Sequence, residues 1–184
     1  MKYSAYKVFV DFEKEEKWLN EMAAKGMHFI DFSFPGRYLF EKGEPGEYIY
    51  RLELLKHMPG HPESKAYIEF MEDTGIELVS TYFRWAWFRK KATDGPFDLY
   101  TDYSSQIKHY LRIFWFTGII GLLNLTVGIW NLGYGLLLTG PKHSTYYNAY
   151  ISPISFLVAF LCLQASISYY FKLKRLKKER LIHE

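Results

Sequence analysis

The residue types that carry out most protein chemistry are sparse in this chain of 184 residues. The single cysteine, Cys162, lies in a long uncharged segment with no histidine near it, which argues against a thiol nucleophile. A lone cysteine also cannot form a disulfide within the chain. His57 and His61 stand four residues apart, a spacing that lets two histidines share a metal ion on a helix. The Pro59-Gly60 pair between them predicts a loop instead, and without a third ligand we predict no metal site.

Recognisable catalytic motifs are also missing from the sequence. It contains no nucleophile elbow, phosphate-binding loop, dinucleotide-binding glycine pattern or zinc-protease helix motif. The acidic residues Glu13, Glu15 and Glu16 are typical of a solvated helix start rather than of a catalytic pair. His28 has the position of an ordinary exposed strand residue, although it could alternatively line a groove. We therefore expect that the protein is not an enzyme and needs no cofactor.

Charge is divided unevenly between the two halves of the chain. Residues 1–110 contain 15 Lys/Arg and 18 Asp/Glu, a net charge of −3, whereas residues 111–184 contain 8 and 2, a net charge of +6. A protein that binds nucleic acid would carry a basic surface on its folded domain. Because the first half is slightly acidic, we expect no direct binding to nucleic acid.

Two long segments, residues 114–138 and 149–171, carry no charged residue. About 20 apolar residues suffice to cross a membrane, and uncharged runs of this length are unusual in soluble proteins. Aromatic residues such as Trp115 and Tyr170 near the segment ends are typical of membrane interfaces. The alternative is a pair of buried helices in a soluble domain. We predict transmembrane helices at residues 113–138 and 149–171, joined by an external loop at residues 139–148.

The basic residues predict the orientation of these helices. The tail, residues 172–184, contains six Lys or Arg, and Lys108 and Arg112 precede the first span, whereas the loop has only Lys142 and the titratable His143. Because basic residues stay on the cytoplasmic side, we expect both termini in the cytoplasm of the cell. The tail could alternatively hold anionic lipids. The first residues lack the apolar stretch of an export signal, so we expect the first domain to remain cytoplasmic.

Small and polar residues recur in both spans at alternating spacings of four and three, which places them on one stripe of each helix. Small residues let two helices approach closely, and polar side chains can hydrogen-bond between them. A polar conduit would need more than two helices, so we predict the seam of a helical hairpin. The stripe residues are Thr117, Gly121, Asn124, Gly128, Ser155, Ala159, Cys162 and Ser166.

The first half contains an internal repeat. Residues 18–30 (WLNEMAAKGMHFI) resemble residues 67–79 (YIEFMEDTGIELV) at an offset of 49, and residues 37–40 resemble residues 84–87 at an offset of 47. Each copy reads as strand–helix–strand–strand. Helices are predicted at residues 13–25 and 63–74, and strands at 6–12, 27–33, 37–42, 47–54, 76–83 and 85–90. We predict an α+β domain in residues 1–96, with one antiparallel sheet and two helices on one face, then a helical linker in residues 97–112.

The predicted strands are unusually rich in aromatic residues. Alternation along a strand directs half of them toward the helices and half away. An exposed aromatic face marks a ligand groove, a partner site or a membrane contact, whereas the alternative is that these residues thicken a small core. The candidates for a ligand-binding groove are Phe34, Tyr38, Phe40, Phe83, Trp85 and Trp87.

The layout of residues 6–91 resembles tandem gyrase-inhibitor-like small-molecule-binding modules, which implies a concave groove for amphipathic compounds. A closer resemblance, to the bacterial family called domain of unknown function 2812, is carried by residues 15–26 (EEKWLNEMAAKG), 38–48 (YLFEKGEPGEY) and 87–90 (WFRK). Met27 departs from the family pattern, where an aromatic residue is expected. The resemblance implies a cytoplasmic domain followed by membrane helices, and an association with PadR-type transcriptional regulators. It implies no catalytic residues.

Two functions fit these observations. In the first, a membrane-tethered cytoplasmic sensor binds an amphipathic small molecule or lipid in the aromatic groove. In the second, a membrane-anchored interaction module uses the same surface to dock a transcriptional regulator of the PadR type. We favour the first function, and saturable binding of a small hydrophobic probe to the soluble domain would distinguish the two.

Overall fold

The computed structural model describes residues 2–100, 102–137 and 146–183. The chain divides into two compact units, Met1–Asp102 and Tyr103–Glu184. Within the described residues, the first unit contains β1 (Lys2–Tyr6), α1 (Phe12–Ala23), β2 (Met27–Ser33), β3 (Arg37–Lys42), β4 (Tyr48–Leu54), α2 (Pro62–Asp73), β5 (Glu77–Tyr82) and β6 (Trp85–Lys91). The second unit contains α3 (Tyr103–Leu137) and α4 (Tyr146–His183). Residues 139–145 of the predicted external loop lie outside the described residues.

The predicted repeat is confirmed, because strand–helix–strand–strand occurs twice. Each copy forms a three-stranded antiparallel sheet whose third strand is central: sheet A in the order β1-β3-β2, and sheet B in the order β4-β6-β5. An irregularity in register also repeats, between Phe29 and Asp31 in β2 and between Leu78 and Ser80 in β5. These positions differ by the 49 residues that separate the sequence copies. The predicted α+β class is therefore confirmed.

The prediction of a first strand at residues 6–12 is wrong, because β1 ends at Tyr6. The Asp11 side chain accepts a hydrogen bond of 3.0 Å from the Glu13 amide, and this cap starts α1 one residue later, at Phe12. The offset of 47 for the last strands is also wrong. Register pairs Phe29 with Phe40 and Leu78 with Phe88, so β3 and β6 are related by 48 residues and the second hairpin turn is shorter by only one.

The two helices contact opposite faces of sheet B, rather than one face of a single sheet. In β6, Ala86 and Phe88 pack in a cluster with Met71 of α2. Trp87, which alternation directs to the other face, donates a hydrogen bond to Glu15 of α1. Sheets A and B are separate ladders, and the Ser80 hydroxyl connects β2 to β5 by donating to the Asp31 carboxylate over 2.9 Å.

The core of the first unit follows from this arrangement. Phe29 contacts the rings of Tyr38, Phe40, Tyr50 and Trp87, with centroid distances between 5.8 and 6.1 Å. A second cluster around α2 contains Leu55, Met71, Ala86, Phe88 and Phe97. Phe97 was assigned to the linker by sequence, yet it is buried in this cluster, so the soluble unit extends beyond residue 96.

The second unit is a pair of long helices that pack against each other. Both are long and apolar enough to cross a membrane. Only 17% of the most apolar 18-residue segment of α3 is buried, and only 28% of the corresponding segment of α4. A core helix of a soluble protein would be mostly buried. The chain is therefore a membrane protein with two candidate spans. Residues 103–112 of the predicted linker continue into the first span as one helix.

Candidate functional site

The six predicted groove residues separate into two groups. Tyr38, Phe40 and Trp87 are buried in the aromatic core, so they do not form an exposed surface. Phe34 and Phe83 are 73% and 62% exposed, and Trp85 is half-buried against Phe12. Alternation places Trp85 and Trp87 on the same face of β6, and α1 covers this face through Phe12 and Glu15.

The exposed aromatic residues belong to a cluster at one end of the two sheets, which we call the tip patch and define as Val8, Phe34, Tyr82 and Phe83. Phe34 lies in the β2–β3 turn and Phe83 in the β5–β6 turn. The segment after β1 joins them, because the Lys7 amide donates a hydrogen bond of 2.9 Å to the carbonyl of Gly36. Three chain segments that are distant in sequence thus meet at this end.

The three aromatic rings of the tip patch contact one another in sequence, one pair stacked and the other edge to face. Phe34 and Tyr82 are nearly parallel, with centroids 6.1 Å apart and an interplanar angle of 7°, and Tyr82 contacts Phe83 at 5.5 Å. Tyr82 was absent from the predicted site, although its place at the end of β5 next to Phe83 was available from the sequence. The stack presents apolar ring surface to solvent, where an apolar partner could cover it.

The backbone of Phe83 is strained. Tyr82 pairs with Trp85, so Phe83 is the first residue of a two-residue hairpin turn, and its φ of 55° lies in the region that favours glycine. A bulky residue in this conformation costs roughly 1–3 kcal/mol, and such residues concentrate at functional sites. An aromatic residue thus occupies a position where glycine would be more stable.

Basic residues flank the tip patch. Lys7 follows β1, Arg37 pairs with Tyr6 at the start of β3, and Arg84 is the second residue of the β5–β6 turn. The Arg84 side chain donates a hydrogen bond of 2.8 Å to the carbonyl of Leu55. The Lys7 ammonium lies over the rings of Phe9 and Trp18, 4.9 and 5.0 Å from their centroids. Positive charge near an apolar surface suits a molecule that combines an apolar body with a negative group.

A buried carboxylate lies between the two sheets. The hydroxyl of Tyr38 and the indole nitrogen of Trp87 each donate a hydrogen bond of 2.8 Å to the same oxygen of Glu15. Burial raises the pKa of Glu15 to about 7, although the two hydrogen bonds act in the opposite direction. The expectation of a solvated acidic helix start is therefore wrong for Glu15. Its place on the stripe of Phe12, Leu19 and Ala23 was the signal in the sequence.

Two further side chains of α1 bind the backbone of β4. Glu16 accepts a hydrogen bond of 2.7 Å from the Leu52 amide, and burial raises its pKa to about 7. The Asn20 amide accepts from the Tyr50 nitrogen at 2.8 Å and donates to the Tyr50 oxygen at 3.1 Å. Two side chains four residues apart on α1 thus form hydrogen bonds with the backbone of alternate residues on the outer edge of β4.

The structure adds a third potential ligand to the two histidines of the predicted loop. Ligand atoms of His57, His61 and Glu63 lie within 4.8 Å of one another. The two imidazole rings stack with centroids 4.1 Å apart, and the Glu63 carboxylate accepts a hydrogen bond of 2.8 Å from Lys56. The ammonium group of Lys56 would compete with a metal ion for this carboxylate. The ion pair between Lys56 and Glu63 therefore accounts for the position of the carboxylate without a bound metal ion.

His28 is not an exposed strand residue, as the sequence suggested. It is 4% exposed, and its Nε2 atom lies 2.9 Å from the carbonyl oxygen of Glu44. A Cβ atom at Gly43 would lie 2.1 Å from the imidazole ring, so this turn needs glycine to accommodate the histidine. His28 therefore packs in the interior of the β3–β4 connection and cannot line an exposed groove.

The residues of the two predicted hairpin stripes differ in how deeply they are buried between α3 and α4. A Cβ atom at Gly121 would come within 2.8 Å of Leu163, and one at Gly128 within 3.0 Å of Phe156. Ser155, Ala159 and Ser166 are buried, whereas Thr117, Asn124 and Cys162 are half-buried. The Ser166 hydroxyl donates to the Phe114 carbonyl of the facing helix. Thr117 and Asn124 instead donate to carbonyl oxygens of their own helix.

Comparison with known proteins supports one of the two resemblances. The family model described as "Protein of unknown function (DUF2812)" matches residues 11–122, from the cap of α1 into α3. No curated protein and no solved structure matches the chain, so the likeness to gyrase-inhibitor-like modules gains no support. The matched range covers more than half of the chain. The protein therefore belongs to the family of unknown function DUF2812.

Proposed function

We propose that the protein is a membrane-tethered binding module, or sensor, whose tip patch binds an amphipathic molecule with a negatively charged group. The cluster of contacting rings of Phe34, Tyr82 and Phe83 is the observation that supports this proposal most directly. Covering one phenylalanine ring contributes about 1.5–3 kcal/mol, which is enough to favour an apolar chain over water. Lys7, Arg37 and Arg84 would attract the negative group.

The proposed location supports the same function. The basic residues of the tail and the two before the first span favour a cytoplasmic position for both termini. The soluble unit would then lie near the inner leaflet of the membrane, where amphipathic molecules concentrate. Candidate ligands in that setting are fatty acids, anionic lipids and membrane-active drugs with an acidic group.

The proposal can be tested with a fragment of residues 1–102, which contains the whole core including Phe97. Its cooperative unfolding is verified first, and laurate is then titrated below its micelle concentration while the tryptophan fluorescence of the fragment is followed. We expect saturable binding, weakened about tenfold by Phe34→Ser because covering of one ring is lost. Dodecyl trimethylammonium, with the opposite charge, should bind more weakly than laurate.

A matched control is available in Phe70, which is 61% exposed on α2 and outside the tip patch. Phe70→Ser should leave laurate binding unchanged. Equal weakening by Phe34→Ser and Phe70→Ser, or no saturable binding to the wild-type fragment, would contradict the proposed site.

The second candidate function is docking of a transcriptional regulator on the same surface. The strained conformation of Phe83 favours a specific partner of either kind over a merely solvated turn. Under this alternative a purified PadR-type regulator would bind the full-length protein and lose that binding in Phe34→Ser, while laurate would not bind.

A further inference from the structure

The membrane helix α4 has two apolar seams on opposite sides. One contains Ser152, Ser155, Ala159, Ser166, Tyr169 and Leu173, which are all buried. The other contains Ile154, Leu157, Leu161, Gln164, Ser168 and Phe171, which are all exposed. Both seams follow the alternating three- and four-residue spacing of left-handed helix pairs. The buried seam faces α3, whereas the exposed seam is not covered by any described residue.

Gln164 lies in the middle of the exposed seam. It precedes Lys172 by eight residues, which corresponds to about 12 Å along the helix, and its neighbour Leu163 packs against Gly121 of α3. The side chain is therefore at a depth where both helices are apolar. An amide exposed to lipid at this depth lacks hydrogen-bonding water.

Several other polar side chains in the spans have hydrogen bonds within the hairpin. Asn124 donates to the carbonyl of Ile120, and Thr126 donates to that of Leu122. Ser166 donates across to Phe114. Gln164, by contrast, forms no side-chain hydrogen bond with any described residue. A carboxamide in hydrocarbon is stabilised when a neighbouring helix supplies both a donor and an acceptor.

From this combination we infer that the protein self-associates in the membrane through the exposed seam of α4, with Gln164 of one copy hydrogen-bonded to Gln164 of a second copy. All copies insert with the same orientation, so two α4 helices related by a twofold axis run parallel and each seam residue faces its equivalent. A carboxamide is self-complementary, because its NH₂ group donates and its oxygen accepts. The pair of amides would also fix the register, as a buried asparagine does in coiled coils.

The partner is a second copy rather than an unrelated membrane protein because the seam complements itself. Leu157 and Leu161 occupy successive seam positions on one side of Gln164, and Ser168 is small enough to allow close approach on the other side. The inference concerns only the second unit and does not depend on the ligand proposed for the tip patch.

The experiment uses the full-length protein in liposomes, with donor and acceptor dyes on the C-terminus of separate copies. We expect energy transfer that rises with the protein-to-lipid ratio and saturates as a dimer. Gln164→Leu keeps the apolar character of the span and should weaken association about tenfold, as expected for loss of two hydrogen bonds in a membrane. Leu123→Ala, at a 60% exposed position on α3, is the matched control and should have no effect.

Cross-linking provides a second measurement that does not depend on the stability of the variant. In a Cys162→Ser background, oxidation should join copies carrying Leu161→Cys more efficiently than copies carrying Leu123→Cys. Monomers at every protein-to-lipid ratio would overturn the inference. It would also be overturned by a dimer that is insensitive to Gln164→Leu and cross-links no better at residue 161 than at residue 123.

Discussion

The buried carboxylates of α1 make the stability of the first unit depend on pH in an unusual direction. Glu15 and Glu16 have pKa values near 7 in the folded protein, against 4.5 for an ordinary glutamate, chiefly because both are buried. The folded state therefore binds protons more tightly than the unfolded state. Stability is fully present below pH 4.5 and is lost as the pH rises through 7.

The magnitude follows from the difference in pKa. A difference of about 2.5 corresponds to roughly 3 kcal/mol for each carboxyl group. Between pH 5 and 7 the free energy of unfolding should fall by at most about 2.7 kcal/mol per pH unit, since two protons are released on unfolding. Glu15→Gln leaves one titrating group, so it should halve this slope. At pH 8 it should stabilise the protein by up to about 3 kcal/mol, because a neutral amide needs no buried charge.

The assay is urea unfolding of the full-length protein in detergent at pH 5 to 8, followed by tryptophan fluorescence. Trp87 contacts Glu15 directly and reports on this site. Glu21→Gln, at an exposed position on the same helix, serves as the control and should leave the slope unchanged. Stability that rises from pH 5 to 8, or a slope that Glu15→Gln does not reduce, would refute the reasoning.

Three further predictions follow from separate features. Phe83→Gly should raise the free energy of unfolding in urea by up to about 1 kcal/mol, because glycine adopts the left-handed conformation without strain. Phe83→Ala keeps the strain and should not raise the free energy of unfolding. Gly121→Ala should lower the thermal stability of the helical hairpin in detergent, because its Cβ would meet Leu163. Gly133→Ala should leave this thermal stability unchanged, because a Cβ at Gly133 meets no described atom within 4 Å. Equal effects of the two substitutions would contradict the packing of the helices. Fluorescent protein fused to the C-terminus should fluoresce, and alkaline phosphatase inserted between the spans should be active; the reverse pattern would contradict cytoplasmic termini.

Periodicity and turn chemistry predicted the elements of the first unit well. The strands at residues 27–33 and 37–42 have the predicted bounds, because the glycine that ends α1 and the Pro35-Gly36 turn define their limits. The first strand was misplaced because Tyr6, Val8, Val10 and Phe12 follow the two-residue spacing of a strand, whereas the Asp11 cap begins α1 at Phe12. Apolar patterns do not report a capping interaction between two neighbouring residues.

The candidate site was predicted less well, because alternation alone does not show which face of a strand a helix covers. Residues 84–87 repeat the aromatic pattern of residues 37–40 best at an offset of 47, but the hairpin turns differ by one residue and the true offset is 48. Trp87 lies on the same face of β6 as Trp85 and contacts Phe29 and Glu15, and alternation in the sequence does not show that α1 covers this face. The burial of Glu15 was also missed, since charged residues are rarely buried without partners and those partners, Tyr38 and Trp87, are distant in sequence.

The hydrogen bonds from α1 to β4 have a consequence for the handling of this protein. β4 (YIYRLEL) is rich in aromatic and branched residues, and it is the terminal strand of its sheet. Exposed edges of this composition are templates for intermolecular strand pairing and amyloid-like aggregation. Glu16 and Asn20 occupy the backbone groups of Tyr50 and Leu52 that an incoming strand would use. Truncations that remove α1 should therefore appear in inclusion bodies, so poor solubility of such fragments would reflect an uncovered strand rather than a lost ligand or partner.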